Sequence, residues 1–491
     1  MYFNSLAFGV FLAVVWLVYQ FTPDRHRWLA LALASLGFYA SLKAPLLLFA
    51  LGLVAILSYA LGHCIARQEN DALKLRLLWV GIAVNIGVLC LVKYLQPIAG
   101  VLCPSLVPAG RQVNLFVTIG VSYFTLQAIC YLADIYLGRV EPERHLGRFA
   151  LYLGFFPKLL QGPIERAGDL LPQLQAPYRC SYENMRSGAL LFAWGLFKKT
   201  AVANRLALYV NTVYGDVHSY GGVSLLMATY MYAIQIYADF SGYTDMALGV
   251  ARFFNIRLTQ NFNSPYLATS VADFWRRWHI SFSRWILDYI FRPLQVLWRG
   301  GGNYGTAAAL LVTFLFSGLW HGVAWGFVIW GLLHGTYLAG SVFYKPWASR
   351  IAQRLGFQNH PVRRVVQTVV TFHLVCMAWI FFRAGSVADG WYVLTHLLGG
   401  VGGYLAAAFE NLRHLTQHKE LVDPILLGKT LPRFLLLLAS LAVFGTASLL
   451  RDCIRIQARS AWVRWPAYYL LASATAFLGV YNDVGFVYFQ F

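Results

Sequence analysis

Apolar segments without charged residues recur along the chain from its first residue, and they predict its secondary structure. Met1–Pro23 contains no charged residue. The later segments of this kind are Trp28–Ser41, Ala44–Ile65, Leu77–Val92, Val113–Ala133, Ser187–Phe197, Gly221–Ala238, Thr306–Tyr344, Thr368–Phe382, Trp391–Phe409, Phe434–Leu450 and Trp465–Tyr481. A helix of about 20 apolar residues spans the hydrocarbon core of a bilayer. The pattern predicts an all-α integral membrane protein with roughly 11 transmembrane helices, the shorter segments being tilted or re-entrant.

The composition supports membrane insertion over a soluble fold. Of the 491 residues, 59% are hydrophobic and 12% are charged, whereas a soluble protein carries about 25% charged residues. The most polar stretches, Gln161–Arg186 and Leu412–Arg433, are too short to build a core of their own. We therefore expect residues 1–491 to form a single membrane domain.

The net charge of +19 is distributed over short loops and forms no single basic patch. Basic residues cluster in alternate loops, at Arg25 and Arg27, at Arg67–Arg76 and at Arg139–Arg148. This alternation predicts that these loops are cytoplasmic and that the N-terminus lies outside. Anionic lipid headgroups, and not nucleic acid, are the expected partners of the charge. The seven cysteines are scattered, so neither disulfides nor a metal site are indicated.

The segment Asp273–Leu294 can be placed on one helix with two stripes. The aromatic stripe consists of Trp275, Trp278, Phe282, Trp285 and Tyr289, and the polar stripe of Arg277, Ser281, Arg284 and Asp288. His279 belongs to neither stripe. Such a helix is expected to lie in the membrane interface, with its polar stripe toward water or donor phosphates. Simple anchoring of the protein at the headgroups is the alternative.

Thr306–Tyr344 is too long for one span. As a single helix it would measure about 58 Å, so we predict a break at Ser317–Gly322, where two glycines flank Trp320 and His321. A histidine at a helix break inside an apolar segment is a candidate functional residue. His334 is a weaker case, and a structural role remains open for both histidines.

Two further segments place polar residues beside apolar ones. Gln235–Asp245 carries Asp239 and Asp245 after a long apolar run, and such carboxylates line polar cavities or pair with buried cations. Phe155–Arg166 contains two prolines and a glycine, which predicts a re-entrant turn. The chain has no nucleophile elbow, P-loop or Rossmann fingerprint. These residues fit a mechanism in which a histidine acts as general base and a hydroxyl attacks an activated acyl donor. They fit a covalent acyl-enzyme mechanism less well.

These segments, in this order, resemble the membrane-bound O-acyltransferase (MBOAT) superfamily, in the branch of bacterial alginate O-acetyltransferases. The similarity runs from Met1–Ser5 to Phe486–Phe491. It depends most on Phe-Trp-Arg-Arg-Trp-His-Ile-Ser, at 274–281, followed by Gly-Leu-Trp-His-Gly, at 318–322. The resemblance implies that His321 is the essential catalytic histidine and His279 the second of the pair. It also implies a ring of helices that encloses a central pocket.

The resemblance implies further properties of the protein. The candidate substrate contacts are Trp320, Arg276, Arg277, Ser281, Gln161, Pro163, Gln235, Asp239, Ser241, Tyr243, Asp245, Lys198 and Lys199. Arg276, Arg277, Lys198 and Lys199 would meet the phosphates of acetyl-CoA, the expected donor, and no permanently bound cofactor is expected. The expected location is the bacterial inner membrane. The acceptor would be an exported polysaccharide, reached directly or through an acetyltransferase partner outside the cell membrane.

Three alternatives remain. One is D-alanyl transfer from a carrier protein, as in the related teichoic-acid branch. A transporter of lipid-linked precursors would predict inverted repeats, which we do not detect, and a non-enzymatic scaffold would leave the histidines without a reason. Trp320, Trp325 and Trp330, interleaved with glycines, predict a tight pocket that suits a small acyl group such as acetyl.

Overall fold

The structure is a computed structural model that describes residues 1–102, 115–322, 324–358, 360–410, 425–427, 431–454 and 460–481. Within these ranges the chain forms helices and no strand. The similar segment Phe486–Phe491 and most of the polar stretch Leu412–Arg433 lie outside the described residues. The predicted span Val113–Ala133 begins outside them as well.

Seven of the ten α-helices that the structure describes in the first half correspond to predicted apolar segments. The ten are α1 (Leu6–Phe21), α2 (Arg27–Ser41), α3 (Pro45–Arg67), α4 (Asp71–Leu102), α5 (Leu115–Tyr136), α6 (Leu146–Gly154), α7 (Ala167–Gln175), α8 (Tyr182–Phe197), α9 (Asn204–Gly215) and α10 (Gly222–Phe253). The three that do not correspond to a predicted segment are α6, α7 and α9. Local capping sets several of these ends. The Ser5 side chain accepts a hydrogen bond from the Phe8 amide at the start of α1, and Pro45 occupies the first turn of α3, where its missing N–H costs nothing.

The second half continues in the same way. Its helices are α11 (Val271–Arg277), α12 (Ile280–Ile286), α13 (Arg292–Leu297), α14 (Gly302–His321), α15 (Trp325–Arg354), α16 (Pro361–Arg383), α17 (Val387–His396), α18 (Val401–Glu410), α19 (Leu431–Ile454) and α20 (Ala461–Leu478). Two π-helical turns interrupt the series, Lys198–Ala203 before α9 and Leu287–Phe291 before α13.

Several helices have the length and apolar composition of membrane spans, so the predicted all-α membrane fold is confirmed. Within the described residues six qualify: Pro45–Arg67, Asp71–Lys93, Arg299–His321, Trp325–Arg354, Pro361–Arg383 and Leu431–Ser448. The pair α17 and α18, bent by 46°, would make a seventh if it forms one span. The count of roughly 11 included shorter segments, among them α1 with its 16 residues, and it stays a prediction.

The predicted break of Thr306–Tyr344 is confirmed. α14 ends at His321, Gly322 has extended backbone dihedrals, and α15 begins at Trp325. The two helices pack closely because Gly318 and Gly331 face each other. A Cβ atom on either glycine would lie 2.4 Å from a carbonyl oxygen of the other helix. Small residues allow this close approach of two helices in a membrane.

By their contacts, the described residues group into two compact units. The first comprises the described residues of Met1–Gly195 and Tyr243–Asn261, and within it α3 packs against α4, α5 and α6. The second comprises those of Leu196–Gly242 and Phe262–Gly485, and within it α15 packs against α14 and α16. The single domain over residues 1–491 stays a prediction.

Candidate active site

His321 lies at the C-terminal end of α14 and is buried. Its ring stands nearly perpendicular to two aromatic rings, that of Trp330 on α15, 5.0 Å away between centroids, and that of Phe382 on α16, 5.1 Å away. Three helices therefore hold this imidazole in an aromatic enclosure. Trp325 was expected in the same enclosure, but that expectation is wrong: Trp325 begins α15 and is 72% exposed.

His279 lies between two helices, which corrects the single helix predicted over Asp273–Leu294. α11 ends at Arg277, and His279 takes the left-handed conformation with φ 44° before α12 begins. In a continuous helix the Arg277 carbonyl would accept from the amide of Ser281. Here it accepts from the amide of Asn263 at 3.0 Å instead. A tertiary hydrogen bond thus replaces a helical one, and the backbone turns at His279.

The turn carries the His279 side chain into the protein. Its ring stacks on Phe282 with a centroid distance of 5.1 Å and meets Phe240 edge-on at 4.7 Å. Burial lowers the pKa of His279 to about 3, because the surroundings disfavour the charged form. The ring is therefore neutral near pH 7, with one nitrogen able to accept a hydrogen bond.

The structure brings the two histidines and Trp320 into one cluster. Phe282 stacks on Trp320 at 4.5 Å. The ring centroid of His279 lies 6.4 Å from that of Trp320, and the centroid of His321 lies 4.9 Å from it. Two imidazoles on the same pair of stacked rings form the core of the candidate site.

His334 lies next to this cluster on α15 and is fully buried. The indole N–H of Trp275 donates to its Nδ1 at 3.2 Å, and the ring of Trp330 lies 5.1 Å from it. The sequence marked His334 as the weaker histidine. Its partner lies 59 residues earlier in the chain, and no local pattern indicates that pairing.

Five of the predicted substrate contacts are buried polar residues of the π-helical turn and of α10. The Lys199 Nζ lies 2.6 Å from a carboxylate oxygen of Asp239, with both side chains at most 2% exposed. Lys198 donates to the Ser241 hydroxyl at 2.9 Å. Gln235, one turn before Asp239 on α10, is buried too. Single π turns often mark functional positions, and here the turn aims two neighbouring lysines at α10.

The arginines of α11 face solvent to different degrees. The Arg276 side chain is 74% exposed and its guanidinium lies 3.8 Å from Asp273. Arg277 is 30% exposed, with its Nε 3.0 Å from the same carboxylate. Ser281 was expected on the polar stripe that faces water, but it is buried. The turn at His279 changes the direction of the helix that follows, and the two halves of the stripe no longer share a face.

The other predicted contacts belong to the first unit. Gln161 and Pro163 are buried and lie outside helices, between α6 and α7. The α-helix is therefore interrupted at Phe155–Arg166, and the re-entrant turn stays a prediction. Neither amide atom of Gln161 has a hydrogen-bond partner among the described residues. Tyr243 stacks on Phe3 at 4.8 Å, and Asp245 is half-buried.

Sequence reasoning missed two charged residues in this same stretch. Lys158 is buried and donates to the side-chain carbonyl of Gln127. The Glu165 carboxylate accepts hydrogen bonds from the amide and the hydroxyl of Thr259. The signal was present, because both charges flank the Gly162–Pro163 pair that predicted the turn. Their internal partners explain how two charges are held in a buried segment.

A surface cavity of about 610 Å³ also lies in the first unit. Its lining is Tyr59, His63, Arg67, Glu141, Pro142 and Arg144, and it contains neither histidine of the candidate site. Among the described residues, no group of three or more histidine, cysteine or carboxylate side chains could hold a metal ion.

Comparison with known proteins agrees with the resemblance seen in the sequence. A family model described as MBOAT, membrane-bound O-acyltransferase family, matches residues 143–382. This stretch contains His279, His321 and His334. A peptidoglycan O-acetyltransferase of Helicobacter pylori is 32% identical over 399 residues, which are 75% of this chain and 73% of the relative.

Two more relatives are named for transfer of an acetyl and of a D-alanyl group. A probable alginate O-acetylase of Pseudomonas aeruginosa is 34% identical over 80% of this chain and 74% of its own. A teichoic acid D-alanyltransferase of Bacillus subtilis is 26% identical over 55% of this chain and 69% of its own. The two proteins named for acetyl transfer have a higher identity to this chain than the D-alanyltransferase has, and they match a larger part of it.

Proposed function

Since this chain belongs to the membrane-bound O-acyltransferase family, we propose that it transfers acetyl from cytoplasmic acetyl-CoA toward an exported polysaccharide or a partner acetyltransferase, with His321 as general base. The observation that carries this proposal is the position of His321. It is a buried imidazole at the break of an apolar helical hairpin, enclosed by Trp330 and Phe382 and joined to a second histidine by Trp320.

The reaction needs little from the protein beyond positioning and proton transfer. His321 takes the proton of the acceptor hydroxyl as the oxygen attacks the thioester carbonyl carbon. The new C–O bond forms, the C–S bond breaks, and the leaving thiolate receives the proton that His321 accepted. His279 supplies a second buried and neutral imidazole that packs against Phe282, and we assign it a hydrogen bond to the acceptor.

The burial of the candidate side chains decides which of them we assign to the donor phosphates. Lys198 and Lys199 are hydrogen bonded or paired to α10 and are at most 4% exposed. We therefore assign the phosphates of the donor to Arg276 and Arg277, whose guanidinium groups are the accessible ones on α11. Arginine binds phosphate oxygens through charge-assisted, often bidentate hydrogen bonds.

Acetyl is preferred to D-alanyl as the transferred group for two reasons. The relatives named as O-acetyltransferase or O-acetylase are more similar to this chain than the D-alanyltransferase is. The indole ring of Trp330 and the phenyl ring of Phe382 pack edge-on against His321, and such crowding favours a small acyl group over a long chain. The relatives' names also support peptidoglycan or an alginate-type polysaccharide as the acceptor class. We place the protein in the inner membrane with its N-terminus outside, in accord with the basic loops.

In the test, inside-out membrane vesicles contain the full-length protein. One sample receives labelled acetyl-CoA, and a parallel sample receives a D-alanyl-charged carrier protein. Alginate and peptidoglycan fragments are offered as acceptors, with and without the periplasmic fraction that holds a partner. The proposal predicts transfer of label from acetyl-CoA. Transfer from the charged carrier alone would reject it in favour of D-alanyl transfer, and inactivity with both donors would favour a transporter.

A further inference from the structure

Three polar atoms on the facing sides of α14 and α15 have no hydrogen-bond partner among the described residues. They are the Ser317 Oγ, the Trp330 Nε1 and the His334 Nε2. All three residues are at most 1% exposed. Buried polar groups are almost always hydrogen bonded, because leaving one unpaired is destabilising. Three such atoms in one helical hairpin indicate a polar ligand that they bind.

Two of these atoms are hydrogen-bond donors and cannot be acceptors. The indole nitrogen of Trp330 only donates. The His334 Nδ1 accepts the indole N–H of Trp275 at 3.2 Å, so it is unprotonated and the proton of the ring is on Nε2. Trp330 and His334 are one helical turn apart on α15, with ring centroids separated by 5.1 Å. Their missing partner is therefore an acceptor, such as an oxygen atom with negative or partial negative charge.

This pair of donors lies beside the proposed base. The Trp330 ring centroid is 5.0 Å from that of His321, and Ser317 is one turn before His321 on α14. When a hydroxyl activated by His321 attacks a thioester, the carbonyl oxygen is the atom that gains negative charge. Fixed N–H donors at such an oxygen stabilise the transition state more than the ground state.

We propose that the Trp330 Nε1–H and the His334 Nε2–H bind the carbonyl oxygen of the acyl donor and stabilise the oxyanion of its tetrahedral intermediate. The inference rests on the proposed acyl transfer at His321. As the C–O bond forms, the electrons of the carbonyl double bond move to this oxygen, which accepts a hydrogen bond from each N–H group. When the double bond forms again, the C–S bond breaks and the thiolate leaves with the proton from His321. Trp275 has a positioning role, because its hydrogen bond fixes the tautomer of His334.

The test compares variants that remove or keep one donor. Trp330→Phe keeps an aromatic ring and removes the N–H. His334→Asn keeps a polar group near the position of Nδ1 and removes the donor at Nε2, whereas His334→Gln places an amide N–H near the position of Nε2. We expect kcat for acetyl transfer from acetyl-CoA to fall by about 10²–10³ in Trp330→Phe and His334→Asn, with KM little changed, and His334→Gln to recover part of the loss.

Trp325→Phe is the matched control, because it removes an indole N–H from an exposed position on the same helix. It should leave kcat unchanged. Unchanged kcat in Trp330→Phe and His334→Asn, or equal losses in the Asn and Gln variants, would overturn the oxyanion pair while leaving the proposed function intact. A wild-type protein that transfers nothing from acetyl-CoA would overturn the proposed function and this inference with it.

A spectroscopic measurement decides the question even where a variant fails to fold. Acetyl-CoA labelled with ¹³C at the acetyl carbonyl is bound to the wild-type protein, and the infrared band of the labelled carbonyl is recorded. Two N–H donors should move this band to lower wavenumber than in the free thioester, and the shift should be smaller in each folded variant that lacks a donor. An unshifted band in the wild-type complex would refute the assignment.

Discussion

Replacing Lys199 by methionine should destabilise the protein strongly, and a second substitution at Asp239 should reverse most of the loss. The Lys199 Nζ and a carboxylate oxygen of Asp239 are 2.6 Å apart, with at most 2% of either side chain exposed. Removing one partner of a buried ion pair costs about 3–5 kcal/mol, because the other charge stays buried. Replacing both partners with apolar residues is often nearly neutral. The variant Lys199→Met with Asp239→Leu should therefore be more stable than either single variant.

The measurement is the free energy of unfolding in mixed micelles, titrated with a denaturing detergent. We expect each single variant to lose about 3–5 kcal/mol and the double variant to lose clearly less. The matched control is Lys345→Met, which removes an exposed lysine and should change the free energy by no more than about 0.5 kcal/mol. Additive losses in the double variant, or a Lys199→Met protein as stable as the wild type, would refute the reasoning.

The same variants separate a structural role of Lys199 from contact with the donor. If the lysine serves the ion pair, the double variant keeps its KM for acetyl-CoA near the wild-type value. If the ammonium group contacts a donor phosphate, KM rises in the Lys199→Met protein and stays raised when Asp239 is replaced as well. The burial of this side chain leads us to expect the first result.

Three further predictions concern the backbone and the surface of the second unit. His279→Gly should be more stable than His279→Ala by about 1 kcal/mol in thermal unfolding, since only glycine adopts φ 44° without steric cost; equal stability would contradict the left-handed turn. Gly331→Ala should lower the melting temperature because its Cβ would lie 2.4 Å from a carbonyl oxygen of α14, whereas Gly340→Ala on the same helix has open space and should not. In a cysteine-free background, a thiol reagent should label Arg276→Cys and not Ser281→Cys, and equal labelling would count against the burial of position 281.

The helical spans could be predicted well from the sequence because lipid imposes a simple pattern. Long uncharged segments become helices, and the break at Ser317–Gly322 follows from the length of Thr306–Tyr344. The number of spans was harder to predict, since short apolar segments such as α1 can cross, tilt or lie within the membrane. Length and composition alone do not decide among these arrangements.

The errors arose where distant residues determine the local structure. Asp273–Leu294 has the periodicity of one helix. However, the Asn263 amide donates a hydrogen bond to the Arg277 carbonyl, and the helix ends there. Lys199 stays a predicted contact of the donor phosphates, but its ion pair with Asp239, forty residues later, is a tertiary contact that the sequence does not indicate. Tertiary hydrogen bonds and ion pairs of this kind override local propensity, and no pattern within a short window of sequence reveals them.

The histidines show how far sequence reasoning reaches at the site itself. The helix break singled out His321, and the structure places it with Trp320 and His279 in one aromatic cluster. His334 received less weight because it lies in the middle of a regular helix. Its importance depends on Trp275 and Trp330, which meet it only in the folded protein.

The role of His321 as the base of the acyl transfer can be tested with three membrane preparations that contain equal amounts of wild-type protein, His321→Ala or His26→Ala. In each preparation, acetyl transfer from labelled acetyl-CoA is measured. His26 is an exposed histidine outside the site and serves as the control. His321→Ala should be inserted and folded but transfer no label above background, while His26→Ala should be as active as the wild type. Transfer at the wild-type rate by a folded His321→Ala protein would contradict this role of His321.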